Sequence, residues 1–309
     1  MSFSIQEIDY ALGENRISVE ALCREVGRDY SKLVSRSGFI NVHHTSLGSS
    51  EFFSNFLKEK LVLLKGDFVI FVNQSILEFI PGSSATVFKD VSESSAVNII
   101  EVSDGCSGFA RAIIMADALV SAHSAPRVHI VCAEKYSDYF TKSDSSVSPI
   151  FSDAISLCTI VPGDEFKIVK HQTRNDFSQS EKISIQGSEL ADLKLEMEGS
   201  SVLAWSLSYS AEMVPSLLAE AGLRVDEIDE WFLHQGSRIV VEMIGERLGI
   251  EGKELFTASE IGNTVSSSIP IALKERLKCI SDGALGRNIL LHAFGVGLSM
   301  TSVLLEAKG

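Results

Sequence analysis

Residues 98–121 read NIIEVSDGCSGFARAIIMADALVS, and this stretch decides the fold class. A β-like run, Asn98–Val102, ends near Ser103, and an apolar-faced helical pattern over Gly108–His123 starts just past Cys106. Strand, tight turn and helix in that order form the repeating unit of an α/β sheet buried on both faces. The alternation continues outward in both directions. Strands are predicted over Phe68–Val72, Asn98–Val102, Val128–Cys132, Trp231–Leu233, Leu255–Thr257, Asn288–His292 and Gly297–Glu306. Helices are predicted over Ser18–Val26, Ser49–Leu64, Gly108–His123, Ser200–Ala221, Ser237–Leu248 and Ser266–Cys279. Residues 141–190, rich in Ser, Asp and Lys, read as a loop or strand-edge region joining two halves.

The halves echo each other. Phe68–Val72 runs into Asn73-Gln74, and Trp231–Leu233 runs into His234-Gln235. Gly105-Cys106 opens one helix and Gly262-Asn263 opens another, at a nearly equal separation along the chain. This predicts two similar α/β halves, residues 1–160 carrying Cys106 and residues 161–309 carrying His234 and Asn263, whose strand-to-helix turns converge.

Composition narrows the function. The chain has 309 residues, 45% hydrophobic and 22% charged, with a formal net charge of −14. That apolar content supports a folded core. The acid excess argues against nucleic acid and against a polybasic membrane-surface protein. No apolar run approaches the length of a membrane span, and the start, MSFSIQEIDY, has no basic segment of a signal peptide. Five widely spaced cysteines without any CxxC argue against a disulfide framework or a zinc site, so a cytoplasmic location is expected. His43-His44 lacks a third ligand and reads as polar loop, and no phosphate-cradling glycine motif occurs.

Three polar residues can carry chemistry. Cys106 lies at a helix start, where backbone N–H groups and the helix dipole lower a thiol pKa and favour the nucleophilic thiolate. The other reading is a buried cysteine in a glycine turn. His234 follows a strand at the sheet's carboxyl edge, where open α/β sites lie, or is a capping or solvated histidine. Asn263 is either an N-cap or an amide donor to a carbonyl oxygen. Gly295, Val296 and Gly297 in HAFGVGLSM make a turn that can aim a backbone N–H at an oxyanion, or an ordinary hairpin.

Taken together, DGCSGFARAI, LHQGSRI, GNTVSSSIPIAL and AFGVGLSM resemble the β-ketoacyl-acyl-carrier-protein synthase III family over most of the chain. LVSRSGFINVHHT resembles its early segment carrying an Arg, here Arg36, and MEGSSVLAWSL the stretch that opens its second half. The resemblance implies the thiolase fold, with two pseudo-symmetric halves and stacked mixed sheets between helices. It implies a Cys106 nucleophile, His234 and Asn263 on the carbonyl of a malonyl-type extender, and an oxyanion turn at Gly295–Gly297. Arg36, Ser237 and Arg238 would contact substrate or pantetheine. It further implies a homodimer, no metal or other tightly bound cofactor, and phosphopantetheine thioesters on coenzyme A or acyl carrier protein as substrates. Departures from the family pattern lie around the coenzyme A contacts. Lys32 stands for an adenine-stacking Trp, SDSSVS lacks a second basic residue, and HQGS stands for HQAN, with Arg238 one position early. They point to a carrier-bound substrate in a specialised lipid or secondary-metabolite pathway.

Three other readings share the Cys-His-Asn set. One is acyl transfer to an oxygen or nitrogen nucleophile without decarboxylation. Another is papain-type hydrolysis, which lacks its CGSCW-like context here. The third is a non-catalytic synthase-like partner subunit.

Overall fold

The computed structural model describes residues 2–75, 80–91, 97–187, 192–279 and 285–308. The strands are β1 (Phe3–Leu12), β2 (Asn15–Ser18), β3 (Asn41–His44), β4 (Phe68–Val72), β5 (Asn98–Val102), β6 (Val128–Glu134), β7 (Ala154–Pro162), β8 (Phe166–Asn175), β9 (Ile183–Gln186), β10 (Lys194–Met197), β11 (Glu230–Leu233), β12 (Asn288–Gly295) and β13 (Ser299–Ala307). The helices are α1 (Val19–Glu25), α2 (Tyr30–Ser37), α3 (Ser49–Lys60), α4 (Ser83–Phe88), α5 (Gly108–Ser121), α6 (Gly199–Glu220), α7 (Arg238–Leu248) and α8 (Ser268–Cys279).

Among the described residues, nine strands share the order β11-β12-β13-β8-β1-β7-β6-β4-β5. The order contains a repeat. β4 runs parallel to β5 and β6, β6 is antiparallel to β7, and β7 to β1. In the other half β11 runs parallel to β12, β12 is antiparallel to β13, and β13 to β8. The echo between Phe68–Val72 and Trp231–Leu233 is thus a topological equivalence. The two half-sheets join through a single pair, Phe3 with Phe166, whose rings lie 5.9 Å apart. Helix α5 packs on β4, β6, β7 and β1 of one half and on β8, β12 and β13 of the other, and α8 packs on β1, β7 and β11. The pair α5 and α8 therefore forms a central layer between the halves, and the small and apolar residues Phe109, Ala110, Ala112, Ile113, Ala116 and Val120 of α5 are buried there.

Two expectations fail. Residues 141–190 are not mainly loop: they hold β7 and β8, among the longest strands. Within β7, Ser156 and Thr159 each satisfy their hydroxyl inside the core, on Ser267 and His129. Leu255–Thr257 forms no strand beside β11; only an isolated parallel bridge, Trp231 to Glu254, remains. The side chain of Gln235 takes the ladder's place, donating to Leu255 O at 3.0 Å and accepting from Thr257 N at 3.0 Å.

Candidate active site

The carboxyl ends of β5, β11 and β12 bring three separate turns to one cavity of about 660 Å³, lined by Cys106, His234, Asn263, Gly295 and Val296 together with Phe294, Tyr136 and Phe151. That size suits a small-molecule ligand. All three polar residues predicted from sequence meet there.

Cys106 sits in a one-turn 3-10 segment, Gly105–Ser107, that leads straight into α5. Gly105 has a φ of +46°, a left-handed conformation that glycine adopts at little cost. The expectation of a lowered thiol pKa is not met. Burial pushes the Cys106 thiol well up, and the nearby Glu134 carboxyl adds to this. The backbone N–H groups of Cys106 and Val296 pull the other way by hydrogen-bonding the sulfur, and they are outweighed. The Cys106 side chain is thus a protonated thiol, with the backbone N–H groups of Cys106 and Val296 beside its sulfur. Gly295 makes this approach feasible, since a Cβ there would lie 2.8 Å from Sγ.

His234 follows β11, its backbone N–H donating to His292 O at 2.9 Å. Burial, with His292 nearby, brings its pKa down to about 3, so the ring is neutral. Nδ1 lies 2.7 Å from the Ser268 hydroxyl. The opposite edge is uncovered because position 236 is glycine; an added Cβ would sit 3.3 Å from Nε2. Phe294 packs edge-on against the imidazole, with centroids 5.5 Å apart at 85°.

Asn263 is pinned at three points. Its N–H donates to Ile150 O and its carbonyl accepts from Ser152 N, both at 2.8 Å. Its Oδ1 accepts from Val265 N at 2.9 Å, which leaves the Nδ2 end as the donor. Val265 holds a φ of +53°, an outlier for a β-branched residue and stored where it orients this amide. The next three residues each anchor a different part of the core. Ser266 donates to Glu134, Ser267 to Cys132 O, and Ser268 meets His234.

The other predicted residues divide. Arg36 and Ser237 line the cavity, with Lys32 and Arg28 beside them on the α2 side. Arg238 does not line it. It packs against Gly38, lies over the Phe256 ring at 4.7 Å and donates to Ser259. Gly297 also lies off the lining, with a φ of +126° in the turn into β13. Ser268, Phe294, Glu134 and Val265 were not singled out from sequence. The serine triplet at a helix start was the one local signal for Ser268. Among the described residues no cluster of three His, Cys, Asp or Glu could hold a metal, and no helix is long and apolar enough to cross a membrane.

Two mixed half-sheets of matching strand order around a central helix pair, with a cysteine, a histidine and an asparagine lining one cavity, define an acyltransferase of the thiolase fold. Residues 100–176 match the family described as 3-oxoacyl-[acyl-carrier-protein (ACP)] synthase III, and residues 218–307 match its C-terminal part, together more than half of the chain. The chain belongs to the 3-oxoacyl-acyl-carrier-protein synthase III family. It is 24% identical to the β-ketoacyl-acyl-carrier-protein synthase III of Streptococcus equi subsp. zooepidemicus, over 99% of this chain and 100% of that one. It is 29% identical to the Campylobacter jejuni protein of the same name, over 73% of this chain and 71% of that one. The crystal structure of 3-oxoacyl-(acyl carrier protein) synthase III from Pseudomonas aeruginosa superposes with a TM-score of 0.89 at 21% identity, covering 100% of this chain and 99% of that one.

Proposed function

We propose that this enzyme loads an acyl group onto Cys106 and condenses it with a decarboxylating malonyl-type thioester to give a 3-oxoacyl product. The observation that carries the reading is the convergence of Cys106, His234 and Asn263 on one cavity. In the first half-reaction the sulfur attacks the thioester carbonyl. The oxyanion sits under the N–H groups of Cys106 and Val296, the carbon–sulfur bond to the carrier breaks, and the departing thiolate takes the thiol proton. In the second, a Ser268 hydroxyl donating to Nδ1 puts the ring proton on Nε2. His234 and Asn263 then donate to one malonyl carbonyl oxygen. The bond to the carboxylate breaks, carbon dioxide leaves, and the electron pair becomes an enolate. Its carbon attacks the acyl-Cys, the carbon–sulfur bond breaks, and the cysteine thiolate that leaves takes a proton from water.

A neutral histidine suits this role, because a donor is needed and a charged ring is not. Arg28, Lys32 and Arg36 at the α2 side of the cavity form a cationic group on an acidic protein. With Lys32 in place of an aromatic stack, they suit the phosphate of a carrier-borne phosphopantetheine, and the pathway is a specialised one in the cytoplasm. The enzyme works as a homodimer; the outer edge of β5, with Ile99 37% exposed, supports pairing of copies there.

Mass spectrometry after incubation with acyl thioesters tests the reading. An acyl adduct on Cys106, absent in Cys106→Ser, is expected, formed faster from carrier thioesters than from coenzyme A thioesters. No adduct from any acyl thioester counts against an enzyme. Loading without carbon dioxide release from a malonyl thioester makes it an acyltransferase to oxygen or nitrogen instead.

A further inference from the structure

The mechanism uses two backbone donors from different halves of the sequence, at Cys106 and at Val296. Something must fix their separation, because a misplacement of about 1 Å in such a site costs about a hundredfold in rate. The structure holds a network directly behind them. Asp104, two residues before the nucleophile, is 14% exposed at its side chain, and its Oδ2 lies 2.7 Å from Arg111 Nε on α5. The same Oδ2 accepts from the Ser107 hydroxyl at 2.9 Å. Ser107 Oγ lies 2.5 Å from Ser299 Oγ, the first residue of β13. Ser299 Oγ also lies 3.0 Å from Val296 O; with Ser107 donating to Asp104, the single Ser299 proton is shared between Ser107 Oγ and Val296 O. Arg111 reaches onward to Asn175 Oδ1 at 3.2 Å, and Asn175 is the strand partner of Ser299. The chain of contacts thus starts on the nucleophile turn and ends on the peptide unit that follows the Val296 N–H.

An ion pair in this position needs a reason. Burial pushes the Asp104 carboxyl up against the pull of Arg111, and its negative charge also holds the Cys106 thiol up. A carboxylate that opposes thiolate formation two residues away works against the nucleophile's ionisation. Its presence there fits a geometric task. Gly295 brings the second turn to within contact of Cys106, where the small Cys106 side chain and the Val296 side chain beside Gly105 meet, both apolar or weakly polar and without a hydrogen-bonded link to fix the spacing. The hydroxyl relay from Ser107 to Ser299 supplies that link from behind.

We infer that Asp104, Arg111, Ser107 and Ser299 form a brace that holds the Cys106 and Val296 N–H donors at the spacing an oxyanion requires, making them positioning residues for acyl transfer. The inference rests on the acyl-enzyme reading above.

The test compares two reactions of the same sulfur in the full-length protein. Acyl transfer from a thioester develops an oxyanion. Alkylation by iodoacetamide is a displacement at carbon and develops none. Both are followed on the Cys106 peptide by mass spectrometry, because exposed Cys279 also alkylates. In Asp104→Ala and Ser299→Ala, acyl transfer should slow about tenfold or more while alkylation stays near wild type or rises. Ser299→Ala removes one hydroxyl and leaves the ion pair, so it reads the brace even where Asp104→Ala does not fold. Acyl transfer within about twofold of wild type in Ser299→Ala overturns the inference, and so does a parallel fall in both reactions. Wild-type protein that alkylates but accepts no acyl group refutes the acyl-enzyme reading and the brace with it. Wild type and variants that acylate equally fast refute the brace alone.

Discussion

The Ser268 hydroxyl stands 2.7 Å from Nδ1 of His234, joining the first residue of α8 to the turn after β11. With Nδ1 occupied, only Nε2 is available to a ligand. Loss of the hydroxyl frees the ring to change tautomer and removes about 1 kcal/mol of hydrogen bonding. In Ser268→Ala, decarboxylation of a malonyl thioester should fall about five- to tenfold. Acyl loading of Cys106 should stay at the wild-type rate. Equal loss in both half-reactions would place Ser268 in the packing of α8 and not on the imidazole.

Asn263 offers a sharper separation. Its amide is oriented by Val265 N–H and lines the same cavity as Cys106 and Val296. Asn263→Ala should lower decarboxylation by about a hundredfold, as loss of one donor to a developing oxyanion does. The acyl-Cys adduct should still form and then persist, since nothing consumes it. Trapped adduct without 3-oxoacyl product is the expected mass-spectrometric result. Normal turnover in this variant would remove Asn263 from the chemistry.

What could be read before the structure, and what could not, follows from the range of the forces involved. β4 and β5 were legible to the residue, because Phe68–Val72 and Asn98–Val102 are short apolar runs bounded by turns. Cys106 and His234 were legible because each stands where such a run gives way to a helix. β1 was missed because FSIQEIDYAL mixes polar and apolar residues at a bulge between Ile5 and Glu7. β7 was missed because its apolar run AISLCTIVP lies within a stretch whose flanks are rich in Ser, Asp and Lys. Ser268 and Glu134 owe their roles to contacts 34 and 132 residues away, and no local pattern encodes those. The thiol pKa went the wrong way for a related reason. The helix start was visible in sequence, whereas the burial that overrides it is a property of the packed whole.

Glu134 gives the fold a pH dependence of defined sign. It is completely buried at the end of β6, accepting from Gln74 N at 3.1 Å, Ser75 Oγ at 3.3 Å and Ser266 Oγ at 2.9 Å. Burial outweighs these donors and raises its pKa from 4.5 to about 7. Between those values the folded protein keeps a proton that the unfolded chain has released. The carboxyl's contribution to stability is therefore complete below pH 4.5 and lost as pH rises through 7. The full swing is about 3 kcal/mol. Glu134→Gln cannot ionise, so its unfolding midpoint should exceed wild type at pH 8 by more than at pH 5. A difference that stays constant across this range would show that the Glu134 carboxyl does not titrate there.

Gly295 tests how tightly the two turns are packed. A methyl group there would lie 2.7 Å from Cys106 Cβ and 2.8 Å from Sγ. Neither atom can retreat easily. Cys106 is fixed by the start of α5, and Gly295 is paired with Ser299 at the end of the β12–β13 ladder. Gly295→Ala should cost about 1–3 kcal/mol of stability, the usual range for overpacking a filled site. It should also slow acylation of Cys106 by more than about tenfold, since the sulfur is pushed from its donors. Gly48→Ala supplies the control. Gly48 has a φ of −61°, and nothing lies within 4 Å of an added Cβ. Gly48 is the N-cap of α3, so that variant should lose no more than about 1 kcal/mol and should acylate as the wild type does. A Gly295→Ala protein that also matched wild type would mean that the strand end yields. The closeness of the Val296 N–H to Cys106 would then be incidental to the reaction.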